Sequence, residues 1–281
     1  MKLETSDIQQ QVAQALKEDI GSGDVTANLL AADQTSSAIV ITRESGVLCG
    51  TQWFDQCFLQ VEETITIHWQ AKDGDLIIPN QTLCTIEGPT RALLTAERAA
   101  LNFLQTLSAT ATTTKHYVDA LTNTGVKILD TRKTIPGLRL AQKYAVSCGG
   151  GMNHRIGLYD MILIKENHVA SCGSITAVIK KAQQNNQQCE VEIEVESLKE
   201  LEEALNAGAQ RILLDNFARE DLVKAVAINQ RRAKLEVSGN ITLENINEVA
   251  QTGIDYISSG AITKNIQALD LSMQIISQAD S

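Results

Sequence analysis

Aromatic side chains make up only 4% of the chain, so a core built from it is expected to be aliphatic. Apolar residues still account for 43% of 281 residues, enough for one large domain or two ordinary ones. Branched and small side chains of this kind suit strands and helices packed in α/β layers. No hydrophobic run approaches the roughly 18–20 residues that span a bilayer. The opening stretch MKLETSDIQQQVAQALKEDI is polar and amphipathic, unlike the apolar stretch of a secretory leader. The expectation is a cytoplasmic protein. Paired CxxC spacing is missing too. Cys49, Cys57, Cys84, Cys148, Cys172 and Cys189 are scattered without a histidine cluster, which argues for reduced thiols over a zinc site or a disulfide framework. Cys148, beside three glycines, is a candidate nucleophile with no evident group to orient a partner base. Positive charge is in deficit, with a net charge of -10, so nucleic acid and anionic membrane are disfavoured as partners. GxGxxG and GxxxxGK[ST] are also absent, which disfavours a dinucleotide-binding sheet and a P-loop.

One segment reverses the overall sign. Between Val126 and His168 the chain has seven basic residues (Lys127, Arg132, Lys133, Arg139, Lys143, Arg155, Lys165) against three acids (Asp130, Asp160, Glu166). Inside it lies SCGGGMNHRIGLYD, residues 147–160, where three glycines run directly into Asn153, His154 and Arg155. Such a stretch is either a flexible loop or a tight turn that aims cationic donors at an anion. The interleaving of basic residues with glycine, proline and strand-like runs favours the second.

The chain has two rhythms. The first half reads as α+β. A helix is expected over Ile8 to Ile20, capped by Ser6 or Asp7. SSAIVITRES, GVLCG, ETITIHWQ and QTLCTIEG are strand-like, with DGDLIIPNQ as a turn-rich connector. TRALLTAERAALNFLQTLSATATTTKHYVDALTN is a long helical region. In the second half, short apolar runs alternate with helical patterns: VKILD, DMILIK, VEIEVE, RILLDN, AKLEVSGN and DYISSGA. This βα repeat implies parallel strands with right-handed crossovers. A doubly wound sheet and a barrel both fit, although six strands is fewer than the usual eight of a closed barrel.

In either architecture ligands bind at the carboxyl ends of the strands. Those ends carry Asp130-Thr131-Arg132-Lys133, then Lys165-Glu166-Asn167-His168, then Glu192, Glu194 and Glu196. After them come Asp215-Asn216, Ser238-Gly239-Asn240 and Ser258-Ser259-Gly260-Ala261. Basic groups terminate the early strands, carboxylates the middle ones and small loops the last two. Ser/Gly loops leading into helices leave N–H groups bare for phosphate. Carboxylates at mid-strand ends suit Mg²⁺ and its waters, and arginines suit bidentate contact with carboxylates. The implied ligands are a phosphorylated molecule with Mg²⁺ and a second, strongly anionic one.

The series ILDTRKTIPGLR, KYAVSCGGGMNHRIGLYDMILIKENH, EVES, LLDNF and SGNI, with GSGDVT, GVLCG and GPTRALLTAERAALNFLQ upstream, resembles the quinolinate phosphoribosyltransferase family over nearly the whole chain. The resemblance implies an N-terminal α/β sandwich-like domain (residues 1–112, rejoined by a C-terminal helix over 266–281) and a C-terminal six-stranded, TIM-like α/β barrel (113–265). It implies transfer of phosphoribosyl from phosphoribosyl pyrophosphate to quinolinate with Mg²⁺, releasing pyrophosphate and CO₂, on the de novo route to NAD. Carried onto this chain, Arg132, His154 and Arg155 resemble the holders of the quinolinate carboxylates. Lys133 and Lys165 resemble the residues between quinolinate and pyrophosphate, with Thr131 beside them. Glu194 and Asp215 resemble the acidic pair near the ribose and Mg²⁺. Ser238-Gly239-Asn240 and Ser259-Gly260-Ala261 resemble the 5′-phosphate loops. Arg98 resembles an arginine that reaches the partner subunit's active site, which implies a homodimer with shared sites, alone or as a hexameric trimer of dimers.

Three positions depart from the family's habit. Asn240 and Ala109 stand where glycine is common, and Lys264 where histidine is. They bear on affinity more than on reaction type, since asparagine tolerates left-handed backbone. Other readings are a non-carboxylating phosphoribosyltransferase, a non-catalytic metabolite sensor and, from DGDLIIPNQTLCTIEGP, a biotinyl- or lipoyl-type carrier. The doubled carboxylate-gripping set, the intact Lys133, Lys165, Glu194 and Asp215, and the lack of a modifiable hairpin lysine argue against them in turn.

Overall fold

The computed structural model describes residues 3–185 and 189–276. It divides into two compact units, one of Met1–Lys115, Ile135–Gly150 and Asn265–Ser281, the other of His116–Thr134 and Gly151–Lys264. Residues 135–150 thus belong with the first unit, where a single boundary near residue 112 had placed them in the second. The reason is packing: Ala141 and Ala145 sit in the first unit's core, and the Tyr144 ring lies 5.7 Å from that of Trp53.

In the first unit α1 (Thr5–Ile20) buries Ile8, Val12 and Leu16, one stripe at four-residue spacing. It begins at Thr5 with Glu4 at the N-cap and no side-chain cap, so Ser6 and Asp7 fall inside the first turn instead of capping it. The antiparallel sheet runs in the order β12 (Leu271–Ile276), β1 (Thr35–Thr42), β5 (Thr82–Pro89), β3 (Thr66–Trp69). A helix over 266–281 is not what forms: residues 271–276 are a strand paired with Ser37–Thr42, and 277–281 lie outside the described residues. The period is two, since Leu271 and Met273 both pack on the core. A helix there would leave one edge of β1 without partners.

A two-stranded ribbon pairs β2 (Gly46–Val47) with β4 (Leu76–Ile77), the latter inside the stretch read as a connector. The helix α2 (Thr51–Val61) had no clear signal in the sequence. Its start is held from a distance, because Asp73 Oδ1 accepts the Gly50 and Thr51 N–H groups at 3.0 and 3.1 Å. It carries Trp53, Phe54 and Phe58, all fully buried. The scarce aromatics are therefore concentrated in this unit, whose core is not purely aliphatic; each contributes about 2–3 kcal/mol by burial.

The long helix α3 (Thr90–Ala120) contains the polar run ATATTT in a buried setting. Its hydroxyls are satisfied locally: Thr110, Thr112 and Thr114 donate to carbonyls one turn back. Against it packs α4 (Arg139–Cys148), and the glycines after α4 serve different ends. A Cβ on Gly149 would stand 2.3 Å from the Ala111 carbonyl oxygen, whereas Gly150 has φ +86. The first permits close helix packing and the second permits a left-handed turn.

The second unit is a six-stranded parallel α/β barrel. Its strands are β6 (Lys127–Leu129), β7 (Met161–Ile164), β8 (Glu190–Val195), β9 (Arg211–Asp215), β10 (Lys234–Ser238) and β11 (Tyr256–Ser258), in the order β6-β11-β10-β9-β8-β7. The helices are α5 (Glu166–Cys172), α6 (Ile175–Asn185), α7 (Leu198–Asn206), α8 (Arg219–Asn229), α9 (Ile246–Ala250) and α10 (Ala261–Lys264). On alternate strand positions Ile193, Val195, Ile212, Leu214, Leu235 and Val237 form an apolar set. The other face carries Glu192, Arg211 and Glu236, all buried.

Gly149→Ala is expected to destabilise the first unit by about 1–3 kcal/mol through overpacking on α3, read as a lower denaturation midpoint. An unchanged midpoint for Gly149→Ala would refute the close-packing account.

Candidate active site

The end of β6 is clasped by the turn after the glycines. Met152 forms a parallel bridge with Leu129, its N–H donating to the Ile128 carbonyl at 2.9 Å while the Asp130 N–H donates to the Met152 carbonyl at 3.1 Å. The Asp130 carboxylate is fully buried. It accepts the His154 N–H at 2.9 Å and the Asn153 side-chain amide at 2.7 Å. Beyond Arg155, Asp160 accepts the N–H groups of Ile156 and Gly157 at 2.7 and 2.9 Å. Two carboxylates thus fix the backbone on either side of Arg155.

Arg155 and Arg132 come together. Burial, and then the positive charge of Arg132, pull the Arg155 guanidinium below its ordinary range; Asp160, Glu192 and Glu194 oppose the shift. Two guanidiniums that repel each other in a half-buried setting suit an anion placed between them.

His154 points into the barrel. Its Nε2 lies 2.8 Å from Glu192 Oε2 and 3.6 Å from Glu236 Oε1, and its Nδ1 accepts the Arg155 N–H at 2.7 Å. Arg211 donates from Nε to Glu192 Oε1 at 3.1 Å and from Nη2 to Glu236 Oε2 at 2.6 Å. The Arg211 guanidinium also stands 4.9 Å from the centre of the Tyr256 ring. Among the described residues Glu236 Oε1 has no hydrogen-bond partner. Burial, reinforced by the neighbouring Glu192 charge, pushes the Glu236 carboxyl up from 4.5 to about 7. Burial likewise raises Glu192, with Arg211 opposing.

Lys165, just past β7, reaches across to β8, where its Nζ meets Glu194 Oε2 at 2.5 Å. Asp215 ends β9 and accepts the Asn216 side-chain amide at 2.8 Å. Lys133 is exposed; its stem and the Thr131 hydroxyl lie against Gly260, where a Cβ would stand 2.8 and 3.3 Å from them. Ser259 is buried and its N–H donates to the Leu129 carbonyl at 3.1 Å, while its Oγ accepts the Ala261 N–H at 3.3 Å. In the other small loop Gly239 has φ +99, and a Cβ there would stand 2.1 Å from Asn216 Oδ1. Asn240 follows with φ +50, a left-handed angle that asparagine accepts. The helices after these two loops span only five and four residues, so bare loop N–H groups, more than helix dipoles, would meet a phosphate. Arg98 belongs to the first unit, exposed on α3.

Residues 24–108 match the family described as quinolinate phosphoribosyl transferase, N-terminal domain, and residues 110–274 its C-terminal domain. The chain belongs to the quinolinate phosphoribosyltransferase family. A nicotinate-nucleotide pyrophosphorylase of Francisella tularensis has the same fold, with a TM-score of 0.95 at 46% identity over 98% of each chain. The Bacillus subtilis protein named "Probable nicotinate-nucleotide pyrophosphorylase [carboxylating]" is 40% identical over 92% of this chain and 90% of its own. A Nicotiana tabacum quinolinate phosphoribosyltransferase [decarboxylating] is 38% identical over 96% of this chain and 83% of its own.

His154, expected among the holders of a carboxylate ligand, is 8% exposed, with Nε2 toward Glu192 and Nδ1 accepting the Arg155 N–H. Sequence reading had also passed over Arg211 and Glu236. The available signal was a charged residue on an otherwise apolar strand, Arg211 at the start of β9 and Glu236 in the middle of β10, on the face shared with Asp215 and Ser238.

Because Glu236 is raised in the folded state, its contribution to stability is fully present below about pH 4.5 and is lost as the pH rises through about 7. That difference is at most about 3 kcal/mol. Glu236→Gln is expected to flatten this part of the pH dependence, read as a smaller change in denaturation midpoint between about pH 5 and 8. Identical profiles for the two proteins would show that Glu236 does not titrate there.

Proposed function

We propose that this protein joins quinolinate to the ribose of phosphoribosyl pyrophosphate, releasing pyrophosphate and CO₂ and forming nicotinate mononucleotide, and that the strand-end set just described is where it does so. The observation that carries this reading is that both domains of the family match along the chain, with its cationic and acidic positions, Lys165 on Glu194 among them, gathered at the strand ends. Two adjacent carboxylates on a small ring relieve the repulsion between Arg132 and Arg155 as no monoanion does. Lys133 and Lys165 extend the positive surface toward pyrophosphate. Bringing two anions together in surroundings poor in water is costly, and these cations offset it. The loops Ser238-Gly239-Asn240 and Ser259-Gly260-Ala261 seat the 5′-phosphate, with the Gly239, Asn240 and Gly260 amides turned to it.

Glu194 and Asp215 sit at neighbouring strand ends, and such hard oxygen donors fit Mg²⁺, which favours one or two carboxylates together with substrate phosphates. Bound there, the ion would neutralise charge on the departing pyrophosphate. As the bond to pyrophosphate loosens, positive charge grows on the ribose carbon. Glu194, already placed to face a cation at Lys165, stabilises it while the ring nitrogen attacks. The resulting pyridinium draws electrons from the adjacent carbon, so the neighbouring carboxylate leaves as CO₂ and a proton takes its place. Arg98, exposed on α3, would reach the site of a second copy, making the working unit a homodimer with shared sites or a trimer of such dimers. The expected compartment is the cytoplasm; among the described residues no helix is long and apolar enough to cross a membrane.

Purified protein supplied with phosphoribosyl pyrophosphate and Mg²⁺ is expected to give mononucleotide and CO₂ from quinolinate and nothing from nicotinate. Arg155→Ala is expected to lower kcat/KM by about 10²–10³-fold with the fold intact, as befits losing one partner of a buried charged contact. Product from nicotinate without CO₂, or normal kinetics for Arg155→Ala, would refute the assignment. Mixing inactive Arg98→Ala and Lys165→Ala chains is expected to restore part of the activity. No recovery despite demonstrated subunit exchange would refute the shared site.

A further inference from the structure

No cysteine belongs to the strand-end set, yet two of them meet inside the first unit. Cys49 lies just before the N-cap of α2, and Cys148 is the last residue of α4. Their sulfurs and a carboxylate oxygen of Asp73 all lie within 4.8 Å of one another. A hydrogen bond with the Cys49 thiol holds the Cys148 thiol below its ordinary value, with burial opposing. Burial pushes the Cys49 thiol well above its own.

Their surroundings set an order of reaction. Cys49 is fully buried and fixed from both sides, its N–H donating to Ser108 Oγ at 2.9 Å and its carbonyl accepting that hydroxyl at 3.2 Å. Cys148 is half-buried beside exposed Ser147. A dissolved oxidant therefore meets Cys148 first, with Cys49 behind it. Three such groups also suit a metal ion, but Asp73 argues against one. Its Oδ1 accepts the Gly50 and Thr51 N–H groups and its Oδ2 the Tyr144 hydroxyl at 2.9 Å. That leaves two sulfurs where structural zinc takes four ligands.

We propose that Cys49 and Cys148 are a redox pair that hydrogen peroxide closes to a disulfide and added thiol reopens, and that closing it displaces the glycine turn leading to Arg155. The consequence for turnover rests on the reading above that Arg155 holds quinolinate. In the first step the Cys148 thiolate attacks one peroxide oxygen. The O–O bond breaks, the sulfur becomes a sulfenic acid, and the leaving hydroxide takes up the proton that Cys148 gave up, forming water. In the second step the Cys49 sulfur attacks the Cys148 sulfur. The S–O bond breaks, and the hydroxyl leaves with the Cys49 proton as a second water. Together the two sulfurs lose two electrons, and the peroxide gains them.

The turn feels this closure because two sulfurs in non-bonded contact must come to about 2.05 Å. Side-chain rotation takes up part of the movement. Cys49 is held by Ser108, so the end of α4 takes up the rest. The next residue has no slack toward α3, since a Cβ on Gly149 would stand 2.3 Å from the Ala111 carbonyl oxygen. The displacement passes along the chain through Gly150 to Gly151, where the second unit resumes, and on to Asn153-His154-Arg155. Moving a substrate-holding group by about 1 Å can lower the rate about 10²-fold.

The test adds hydrogen peroxide to the reduced protein, alkylates the remaining thiols and maps tryptic peptides without reduction. The expected product joins residues 44–72, through Cys49 and not Cys57, to residues 144–155, with two hydrogens lost. Cys49→Ala is expected to stop at the Cys148 sulfenic acid, trapped with dimedone. Quinolinate turnover is expected to fall about tenfold or more as the bond forms and to return with dithiothreitol. Cys49→Ala is expected to start at normal turnover and to keep it under peroxide. Amide hydrogen exchange over residues 149–157, read without substrate, is expected to rise in the oxidised protein. Oxidation of Cys172 or Cys189 without the Cys49–Cys148 bond would overturn the pair, as would a co-purifying zinc ion released by alkylation. Full bond formation with unchanged exchange or unchanged turnover would overturn the coupling. Mapping and exchange use the unaltered protein, so they decide even if Cys49→Ala does not fold. If the reduced protein converts no quinolinate, the functional reading falls, while mapping and exchange still decide this proposal.

Discussion

A guanidinium enclosed by two carboxylates organises the barrel. Arg211 on β9 faces Glu192 on β8 and Glu236 on β10, and the strands carrying them are direct neighbours. The register sets Glu192 opposite Arg211 and Glu236 two residues further along β10 on the same face, so three charges that would each be prohibitive alone become tolerable together. Two carboxylates outnumber one guanidinium, and the raised Glu236 carboxyl relieves that excess by holding a proton near neutrality. The interior is thus polar but nearly neutral, and it meets the His154 ring at Glu192.

Above that level the chain spends carboxylates on backbone instead of on reaction. Asp130 and Asp160 bind the amides flanking Arg155, and Asp73 in the other unit does the same for the start of α2. The pattern explains how an acidic chain keeps a cationic pocket. Its acids beside that pocket are already occupied as backbone acceptors, while Arg132 and Arg155 remain close enough to repel each other. Lys165 is held by Glu194 in the free protein. Ligand binding there exchanges one ion pair for another, which limits its cost.

Much of this could be read in the residues beforehand. The βα rhythm marked all six barrel strands, because a strand packed on both faces leaves a run of branched side chains. The residues at the strand ends followed from that rhythm together with the rule that such ends carry ligands. Helix α2 and strand β12 were not legible. The first is capped by a residue more than twenty positions away, and the second is short enough that periodicity alone does not separate strand from helix. His154 was legible as a special residue, whereas its contact with Glu192 on a distant strand was not, since nothing local encodes it.

What the sequence determined by itself is the class of chemistry. Seven cations against three acids in one window, glycines before Asn153-His154-Arg155, and small loops at the late strand ends specify an anion site whatever their exact placement. Only the tertiary structure decided which cations line the ligand site and which polar groups serve the scaffold. That choice depends on strand register and on which side of the barrel wall each residue faces. Register arises from contacts between residues far apart in the chain, such as Glu192 with Arg211 and Arg211 with Glu236, and no local pattern encodes those distances.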